Sequence, residues 1–407
     1  MSTDVVITGM GVTAPTGLSV KEYWNATLAG TQGIAPLQEF DPTPYTARLA
    51  GQITGFEAKR HLPGRLLPQT DRVTRLALVA ADRALEDAQV DVGELGTYDC
   101  GVVTSNATGG FEFSHREMQR LWTQGPDRVS VYQCFAWFYA VNTGQISIRH
   151  KMRGPGGVVV AEQAGGLDAI GHARRTITRG RSRLMVTGGV ESSFDPWGWV
   201  SHLASGTVST ATDPATAYLP FDQRACGYVP GEGGALLVME DAQSARGRTD
   251  RRPYGKITGY AATFDPAPGA QRPSGLRRAV DLALADAGLK PDAIDLVVAD
   301  AAGVADLDAQ EADALRAVFG PYGVPVCAPK TMVGRLMAGG GPLDVVCALL
   351  ALRDNVIPPA VNVTDVVDDY QIDLVRDEPR TCPLSRALVL ARGAGGFNSA
   401  VIVEHTP

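Results

Sequence analysis

The stretch from 154 to 166, GPGGVVVAEQAGG, has the pattern of an elbow that presents a nucleophile. A Gly/Pro turn leads into the valine run 158–160, which predicts a short buried strand, and a helix follows from Leu167. Many enzymes place a nucleophile at such a junction, where unpaired N–H groups at the helix N-terminus favour a thiolate or an oxyanion. The residue at the tip is Gln163, and an amide is not a nucleophile. The sequence therefore predicts a catalytic frame that carries an inert side chain.

Residues that could bind a metal or a nucleotide cofactor form no recognisable pattern. Six cysteines are scattered without a C-x-x-C motif, so we expect buried, reduced thiols. The six histidines form no cluster with the spacing of metal ligands, and no metal is predicted. Gly9-x-Gly11 lacks the third glycine of a dinucleotide fingerprint, which argues against a nicotinamide cofactor.

The bulk composition is ordinary for a soluble globular protein. The chain has 407 residues, 44% of them hydrophobic and 20% charged, which is enough for a large core and more than one structural unit. A formal charge of −7 gives no electrostatic basis for nucleic-acid binding. Neither a targeting peptide nor an apolar stretch of membrane-spanning length is recognised. We therefore expect a cytoplasmic protein with no nucleic-acid or membrane partner.

The elements that must position the elbow repeat once along the chain. A buried strand at 5–9 and an amphipathic helix at 74–88 open the first half. The segment 241–253 loses its apolar side chains and predicts an exposed connection, after which the same order of elements returns. We expect an internally duplicated α/β protein with domains 1–250 and 251–407, and a pocket where glycine-ended strands of the two halves meet.

Four motifs, taken in order, resemble those of the thiolase-fold β-ketoacyl synthases over essentially the whole chain. They are VITGMGV at 6–12, PFD at 220–222 with GYVPGEG at 227–233, KTMVG at 330–334 and GAGGFNS at 393–399. The resemblance implies an α/β, thiolase-like duplicated fold with five layers, αβαβα, and two mixed sheets.

The residues that would carry the family's catalysis all depart from its pattern. Gln163 stands at the position of the nucleophilic cysteine, while Asp300 and Arg335 stand where the resemblance places the two histidines. Neither of those charged groups can replace a neutral imidazole that exchanges a proton near neutral pH. The gate loop reads GAGG at 393–396, without its phenylalanine. We expect Asp300 and Arg335 to pair in the emptied pocket, where each offsets the cost of burying the other.

Three charged residues of the catalytic pattern remain, namely Lys330, Asp308 and Glu311. With the histidines lost, we interpret them as structural. An ion pair between Glu311 and Lys330 is the expected arrangement.

With all three catalytic groups missing from an intact fold, the sequence resembles the chain length factors, which are the ketosynthase-like beta subunits of type II aromatic polyketide synthases. The AEQAGG elbow at 161–166 is characteristic of that group. The resemblance implies a heterodimer with an active ketosynthase alpha subunit, supplied by malonyl-acyl carrier protein and holding a growing poly-β-ketone chain. It also implies that the chain alone is inactive in condensation and holds no cofactor, the 4′-phosphopantetheine being carried by the acyl carrier protein.

Phe111, Ser114 and Met118 fall on one face of a predicted helix. Core packing alone would explain such a stripe, but the resemblance implies that this helix lines the polyketide tunnel, with Phe135 as a fourth wall residue. Bulk at these positions would stop chain growth by steric clash. The two phenylalanines favour a product of about sixteen carbons, and the smaller or softer Ser114 and Met118 leave about twenty open.

The role of Gln163 and the function of the whole chain both leave alternatives open. Gln163 either fills the vacated site or donates its amide N–H to a malonyl thioester carbonyl and assists the decarboxylation that primes synthesis. The chain either sets product length or acts as a structural or regulatory pseudoenzyme that stabilises its partner. A third alternative is an active acyltransferase that uses Cys134 or Cys226, although neither lies at the elbow tip.

Overall fold

The two halves of the chain meet where their first long strands pair. The computed structural model describes residues 4–267, 270 and 272–406. β1 (Val5–Thr13) pairs with β8 (Gly255–Phe264) through two residue pairs, Val6 with Lys256 and Ile7 with Gly255. This short pairing joins the sheet of one half to the sheet of the other.

The remaining strands are β2 (Ile34–Pro36), β3 (Leu49–Gly51), β4 (Cys100–Ser105), β5 (Gly156–Val159), β6 (Leu184–Glu191), β7 (Gly233–Asp241), β9 (Leu296–Val298), β10 (Pro325–Cys327), β11 (Val356–Ile357), β12 (Asp373–Leu374), β13 (Arg380–Thr381), β14 (Arg386–Gly393) and β15 (Phe397–Glu404). The helices are α1 (Val20–Leu28), α2 (Arg72–Asp87), α3 (Val92–Leu95), α4 (Phe111–Gln124), α5 (Gln133–Ala136), α6 (Val141–His150), α7 (Gly165–Thr178), α8 (Pro196–Leu203), α9 (Pro214–Ala217), α10 (Ala242–Arg248), α11 (Leu276–Ala287), α12 (Ala305–Phe319), α13 (Lys330–Val333) and α14 (Gly340–Asp354).

The strand order confirms the internal duplication. From the junction outwards, the first half runs β1-β7-β6-β4-β5 and the second half runs β8-β15-β14-β9-β10, followed by β12. Each half mixes parallel with antiparallel pairs, since β4 is parallel to β6 and β6 antiparallel to β7, and β9 and β14 are related to β15 in the same way. The two mixed sheets are therefore present, and their hydrogen bonding is continuous through the β1–β8 junction.

Five layers result from the way in which helices cover both sheets. α7 and α14 form the middle layer, α7 against β4 and β6 and α14 against β7 and β14. α2 covers the outer face of the first sheet, and α11, with α12 packed against it, covers that of the second. Burial of α14 is complete from its first residue to Leu352, as expected for a helix enclosed between two sheets.

The glycines of the Gly9-x-Gly11 motif serve helix packing. A Cβ atom on Gly11 would lie 1.9 Å from the carbonyl oxygen of Ala80 in α2, and one on Gly9 would lie 2.2 Å from that of Ala84. A side chain at either position would force α2 away from β1. The motif is thus accounted for by the close approach of a helix.

Two predictions about local structure are wrong. The valine run 158–160 is not a buried strand, because β5 is the edge strand of the sheet, its valines are half-buried and Val160 is exposed. Residues 241–253 are not entirely an exposed connection, because Ala242–Arg248 form α10 and Ala245 is buried. Asp241 caps this helix by accepting a hydrogen bond from the backbone N–H of Ser244. The division into domains at residue 250 stays a prediction. Among the described helices, none combines the length and apolar character that a membrane crossing requires.

Candidate functional site

The elbow is formed by a single 3₁₀ turn, Glu162–Ala164, that connects β5 to α7. Glu162 has a φ of +48°, a left-handed conformation that non-glycine residues rarely adopt. Gln163 follows it with its side chain fully enclosed, at 0% exposure. The strained position is therefore one residue before the tip, and the tip residue points into the protein.

Gln163 and Arg335 both bind the carboxylate of Asp300. The Gln163 Nε2 donates to Asp300 Oδ1 at 3.2 Å, and the Arg335 guanidinium donates to Oδ2 at 3.2 Å. The backbone N–H of Arg392, on β14, also donates to Oδ1, at 2.9 Å. Among the described residues, the amide oxygen of Gln163 has no hydrogen-bond partner. The predicted pairing of Asp300 with Arg335 is confirmed, and Gln163 is part of the same network.

Arg335 is held as a buried cation by groups on several sides. Burial lowers the pKa of the guanidinium, but the charges of Asp300 and Glu162 outweigh burial and hold it above its ordinary value. The Nε atom lies 3.8 Å from Glu162 Oε1, and the guanidinium carbon lies 5.9 Å from the centre of the Tyr228 ring. A buried ion pair of this kind is tolerated only where further hydrogen bonds satisfy both partners. Gln163, Asp300 and Arg335, at which the resemblance predicts three lost catalytic groups, thus belong to one interlocked charge network.

The ion pair predicted between Glu311 and Lys330 is wrong. Lys330 Nζ donates to the carboxylate of Asp344 and, at 2.7 Å, to the carbonyl oxygen of Ala299. Glu311 instead accepts the backbone N–H groups of Asp300 and Ala301, at 2.7 and 2.8 Å. The physical reason is geometric, since Glu311 lies beneath the turn that carries Asp300, while α14 brings Asp344 to the ammonium group. Each residue thus has partners other than the predicted one, and their structural role stays a prediction.

The carboxyl groups of Glu311 and Asp308, which lie under the turn that carries Asp300, are protonated more readily than usual. Burial, together with the charge of Asp300, raises the pKa of Glu311 to about 7. Burial raises the pKa of Asp308 to about 8, although it accepts backbone N–H groups from Phe221 and Gly303. Asp308 is thus a structural acceptor that joins the Pro-Phe-Asp segment to α12.

The predicted tunnel residues lie on α4, and the structure adds an aromatic partner. Phe111 stacks on Trp197 of α8, with ring centres 4.9 Å apart and planes within 7°. Ser114 is buried and accepts a hydrogen bond from the side chain of Gln133 at 3.2 Å. Met118 is half-buried. These two contacts join α4 to α8 and to residues 131–139, which contain α5 and Phe135 and which we call the α5 segment.

Large apolar side chains around α4 are exposed in the single chain. They belong to α4, to the α5 segment and to α8, and comprise Trp122, Val131, Trp137, Phe138, Tyr139, Trp197 and Val200. Val160, just beyond the edge strand β5, is also exposed. Surfaces of this kind, rimmed by polar residues, mark sites of interaction with other proteins or with apolar ligands. We call this set the α4 apolar surface.

Comparison with known proteins assigns the family. The model of the beta-ketoacyl synthase N-terminal domain matches residues 2–245, and that of the C-terminal domain matches residues 254–364. The chain belongs to the β-ketoacyl synthase family. It is 62% identical to the actinorhodin polyketide beta-ketoacyl synthase 2 of Streptomyces coelicolor and 57% identical to the tetracenomycin polyketide synthase ketoacyl synthase beta subunit of Streptomyces glaucescens, with 98% of each chain covered in both cases. The solved structure of the ishigamide ketosynthase/chain length factor is 26% identical, with a TM-score of 0.89 and both chains covered completely.

The burial of the six cysteines agrees only in part with the prediction of buried, reduced thiols. All six are free, and Cys100, Cys327 and Cys347 are buried as predicted. The prediction is wrong for Cys134 and Cys226, which are exposed because they lie in the α5 segment and in a loop. Within the described residues, no group of three or more His, Cys, Asp or Glu side chains could hold a metal ion.

Several residues of the site were not found from the sequence. Glu162 connects the elbow to the turn between β14 and β15, because its carboxylate also accepts the backbone N–H of Ala394 at 2.9 Å. The sequence around Trp197 predicts only that a helix begins there, because Asp195 and Pro196 form a typical helix start. Asp344 lies fourteen positions after Lys330, inside a small-residue helix whose pattern predicts only packing.

Proposed function

We propose that this β-ketoacyl synthase is the beta subunit, or chain length factor, of a type II aromatic polyketide synthase. In this proposal it pairs with an active ketosynthase alpha subunit and completes the tunnel that sets how many malonyl units are condensed. The observation that carries it is the contrast between a nucleophile position filled by Gln163 in a closed charge network and an open apolar surface on α4. The tetracenomycin relative, which is named as a beta subunit, supports the same assignment.

The bond-making chemistry belongs to the partner in this proposal. A cysteine thiolate of the alpha subunit accepts the acyl chain from carrier protein and releases the carrier's thiol. Loss of CO₂ from a malonyl thioester generates an enolate that attacks that acyl carbonyl, which breaks the C–S bond and releases the cysteine thiolate. The 4′-phosphopantetheine arm is a property of the acyl carrier protein. Since the elbow of this chain has no thiol, we expect the isolated chain to be inactive in condensation.

Product length would be set by the space that α4 and the α5 segment leave for the growing chain. Phe111 is held in place by its stack on Trp197, and Ser114 is held by Gln133, so neither side chain can yield without breaking a contact. A further two-carbon unit would then have to displace packed side chains, and overpacking of this kind typically costs about 1–3 kcal/mol. The tunnel wall therefore acts as a steric stop.

Exchange of the whole subunit separates this proposal from that of a pseudoenzyme which only stabilises its partner. One ketosynthase alpha subunit is combined in turn with this chain and with a beta subunit that gives a different product length. We expect the polyketide length, measured by mass spectrometry, to follow the beta subunit. If length stays with the alpha subunit while yield depends on the beta subunit, the stabilising role is correct and ours is not.

A single substitution tests the position of the wall. Met118→Gly shortens a half-buried side chain on the tunnel face and should lengthen the product. Gln119→Gly is the matched control, since Gln119 is exposed on the same helix and glycine costs helix stability similarly at both positions. Equal product lengths for the two variants would refute the assignment of this face.

The acyltransferase alternative is tested by removing both exposed thiols. The double variant Cys134→Ser, Cys226→Ser, paired with the active alpha subunit, should form the same product at the same rate. A rate that collapses in this variant would indicate that one of these cysteines carries an acyl group.

A further inference from the structure

We infer that Asp71 is a positioning residue for the chain-length helix: its buried carboxylate caps α2 and fixes the start of α4 at the same time. This inference rests on the proposed function, because it concerns how the tunnel wall is held in place. Asp71 touches neither substrate nor reacting atoms in this view. It acts through the backbone of the helix that carries Phe111, Ser114 and Met118.

The two contacts of Asp71 use its two oxygens separately. Oδ1 accepts the backbone N–H of Val73, the second residue of α2, at 2.9 Å. Oδ2 accepts the backbone N–H of Phe113, the third residue of α4, at 2.7 Å. Side-chain oxygens at helix starts usually cap the N–H of the second or third residue of their own helix. One carboxylate thus performs this function for two helices.

The start of α4 depends on this contact because its own capping position has no side chain. The residue before the helix is Gly110, which makes no side-chain capping bond. A Cβ atom on Gly110 would lie 2.1 Å from the carbonyl oxygen of Ala136 and 3.0 Å from the Cβ of Asp71. The helix start is therefore wedged between Asp71 and the α5 segment, with no space for a capping side chain of its own.

The contact connects the tunnel wall to the buried core of the first half. Asp71 is 1% exposed and is the capping residue immediately before α2, whose apolar face packs on β1 and β7 in the core of the first half. Phe113 lies one residue before Ser114 and two after Phe111, in the first turn of α4. A shift of this turn moves those two wall residues first. The position of the wall thus follows from the position of α2.

A reconstituted complex of the variant chain, the ketosynthase alpha subunit and malonyl-acyl carrier protein tests the inference, with product lengths measured by mass spectrometry. Asp71→Ala removes both capping contacts. We expect the ratio of off-length to main product to rise about fivefold, the change in an equilibrium that loss of a helix cap commonly produces. Asp71→Asn keeps one acceptor oxygen and should restore part of the native distribution.

Asp241→Ala is the matched control, because Asp241 caps α10 through the N–H of Ser244 and is an aspartate of the same type. It should cost less stability, because Asp241 is half-buried and accepts one capping N–H group, and it should leave product lengths unchanged. If Asp71→Ala and Asp71→Asn both keep the native distribution while Met118→Gly shifts it, the inference is wrong and the proposed function stands. If Met118→Gly also leaves product length unchanged, the assignment of the tunnel wall to this face of α4 fails, and the exchange of whole subunits decides the proposed function separately. Should Asp71→Ala yield no soluble complex, Asp71→Asn alone decides by the same criterion.

Discussion

The elbow around Gln163 and the helix α4 belong to the same half of the chain but have opposite characters. At the elbow, charged and polar side chains fill the space, and Arg335 is 6% exposed between Asp300, Glu162 and the Tyr228 ring. Around α4, large aromatic side chains remain at the surface, with Trp122 at 82% and Trp197 at 46% exposure. One region is complete in the single chain, whereas the other is an apolar surface that remains uncovered in it.

Under the proposed function, this difference explains how a fold without its catalytic groups remains stable. An emptied catalytic pocket would leave buried polar backbone groups and a cavity, both of which destabilise a protein. Here the pocket is filled by an ion pair whose members are satisfied by the backbone of β14 and by the elbow. The stability of the chain and its proposed function are therefore assigned to separate regions, and variants of each region should have separate effects.

The largest effect is expected at the elbow, on stability. Arg335→Ala leaves Asp300 buried without its counter-ion, and breaking a buried pair in this way typically costs about 3–5 kcal/mol. The variant complex should therefore lose a large part of its free energy of unfolding, measured by denaturant titration. Arg277→Ala is the control, because its pair with Asp281 is exposed and should contribute below about 1 kcal/mol. Equal losses for the two variants would mean that the network does not hold the vacated pocket together.

A second variant asks whether the elbow retains any chemistry. Gln163 is fully enclosed and already donates to Asp300, so a malonyl carbonyl can reach its second amide N–H only if neighbouring side chains move. Should the amide assist priming, Gln163→Ala should slow malonyl decarboxylation by at least about tenfold, a modest effect for an oxyanion donor.

The control for this variant is a ketosynthase alpha subunit that already carries an acyl starter. Elongation from that starter should proceed at the native rate, since priming is bypassed. An unchanged rate of decarboxylation in Gln163→Ala would show that the glutamine only fills the site.

Much of this architecture could be predicted from residue patterns, because it depends on local signals. Glycine-ended strands and amphipathic helices that occur twice in the same order predict the duplication, and the pairing of Asp300 with Arg335 follows from opposite charges at two emptied positions. The failures concern neighbours that are distant in sequence. A run of valines indicates a strand but not whether a further strand covers its edge, so β5 was predicted to be buried.

Contacts between elements were the least predictable part of the site. The sequence predicted Glu311 as the partner of Lys330. The packing of α14 instead places Asp344 against the Lys330 ammonium group, and Glu311 lies under the turn that carries Asp300. An aspartate before a helix predicts a cap for α2, yet nothing in the sequence connects Asp71 with Phe113, forty-two positions later. Such pairs are fixed by tertiary packing and are visible only in three dimensions.

A smaller effect on stability is expected from pH. Burial raises the pKa of Asp308 to about 8 and of Glu311 to about 7, whereas the same groups titrate near 4 in an unfolded chain. Between these values the folded protein binds more protons than the unfolded one, so stability falls as pH rises and levels off above pH 8. The Tm, measured by differential scanning fluorimetry, should decrease from pH 6 to pH 8, and Asp308→Asn should flatten that decrease. A Tm that rises over this range would contradict the assigned protonation.

The smallest effect on stability, with a visible effect on product, is expected at Trp197. Trp197→Ala removes the ring on which Phe111 stacks, and an aromatic pair of this kind contributes about 0.5–1.5 kcal/mol. Trp122→Ala is the control, because Trp122 lies on α4 with Phe111, is 82% exposed and is not the ring on which Phe111 stacks. Both variants should retain nearly native stability, while only Trp197→Ala broadens the distribution of product lengths. If Trp197→Ala instead destabilised the chain as strongly as Arg335→Ala, without changing product length, the α4 apolar surface would be a second structural core, and the separation between the two regions would be refuted.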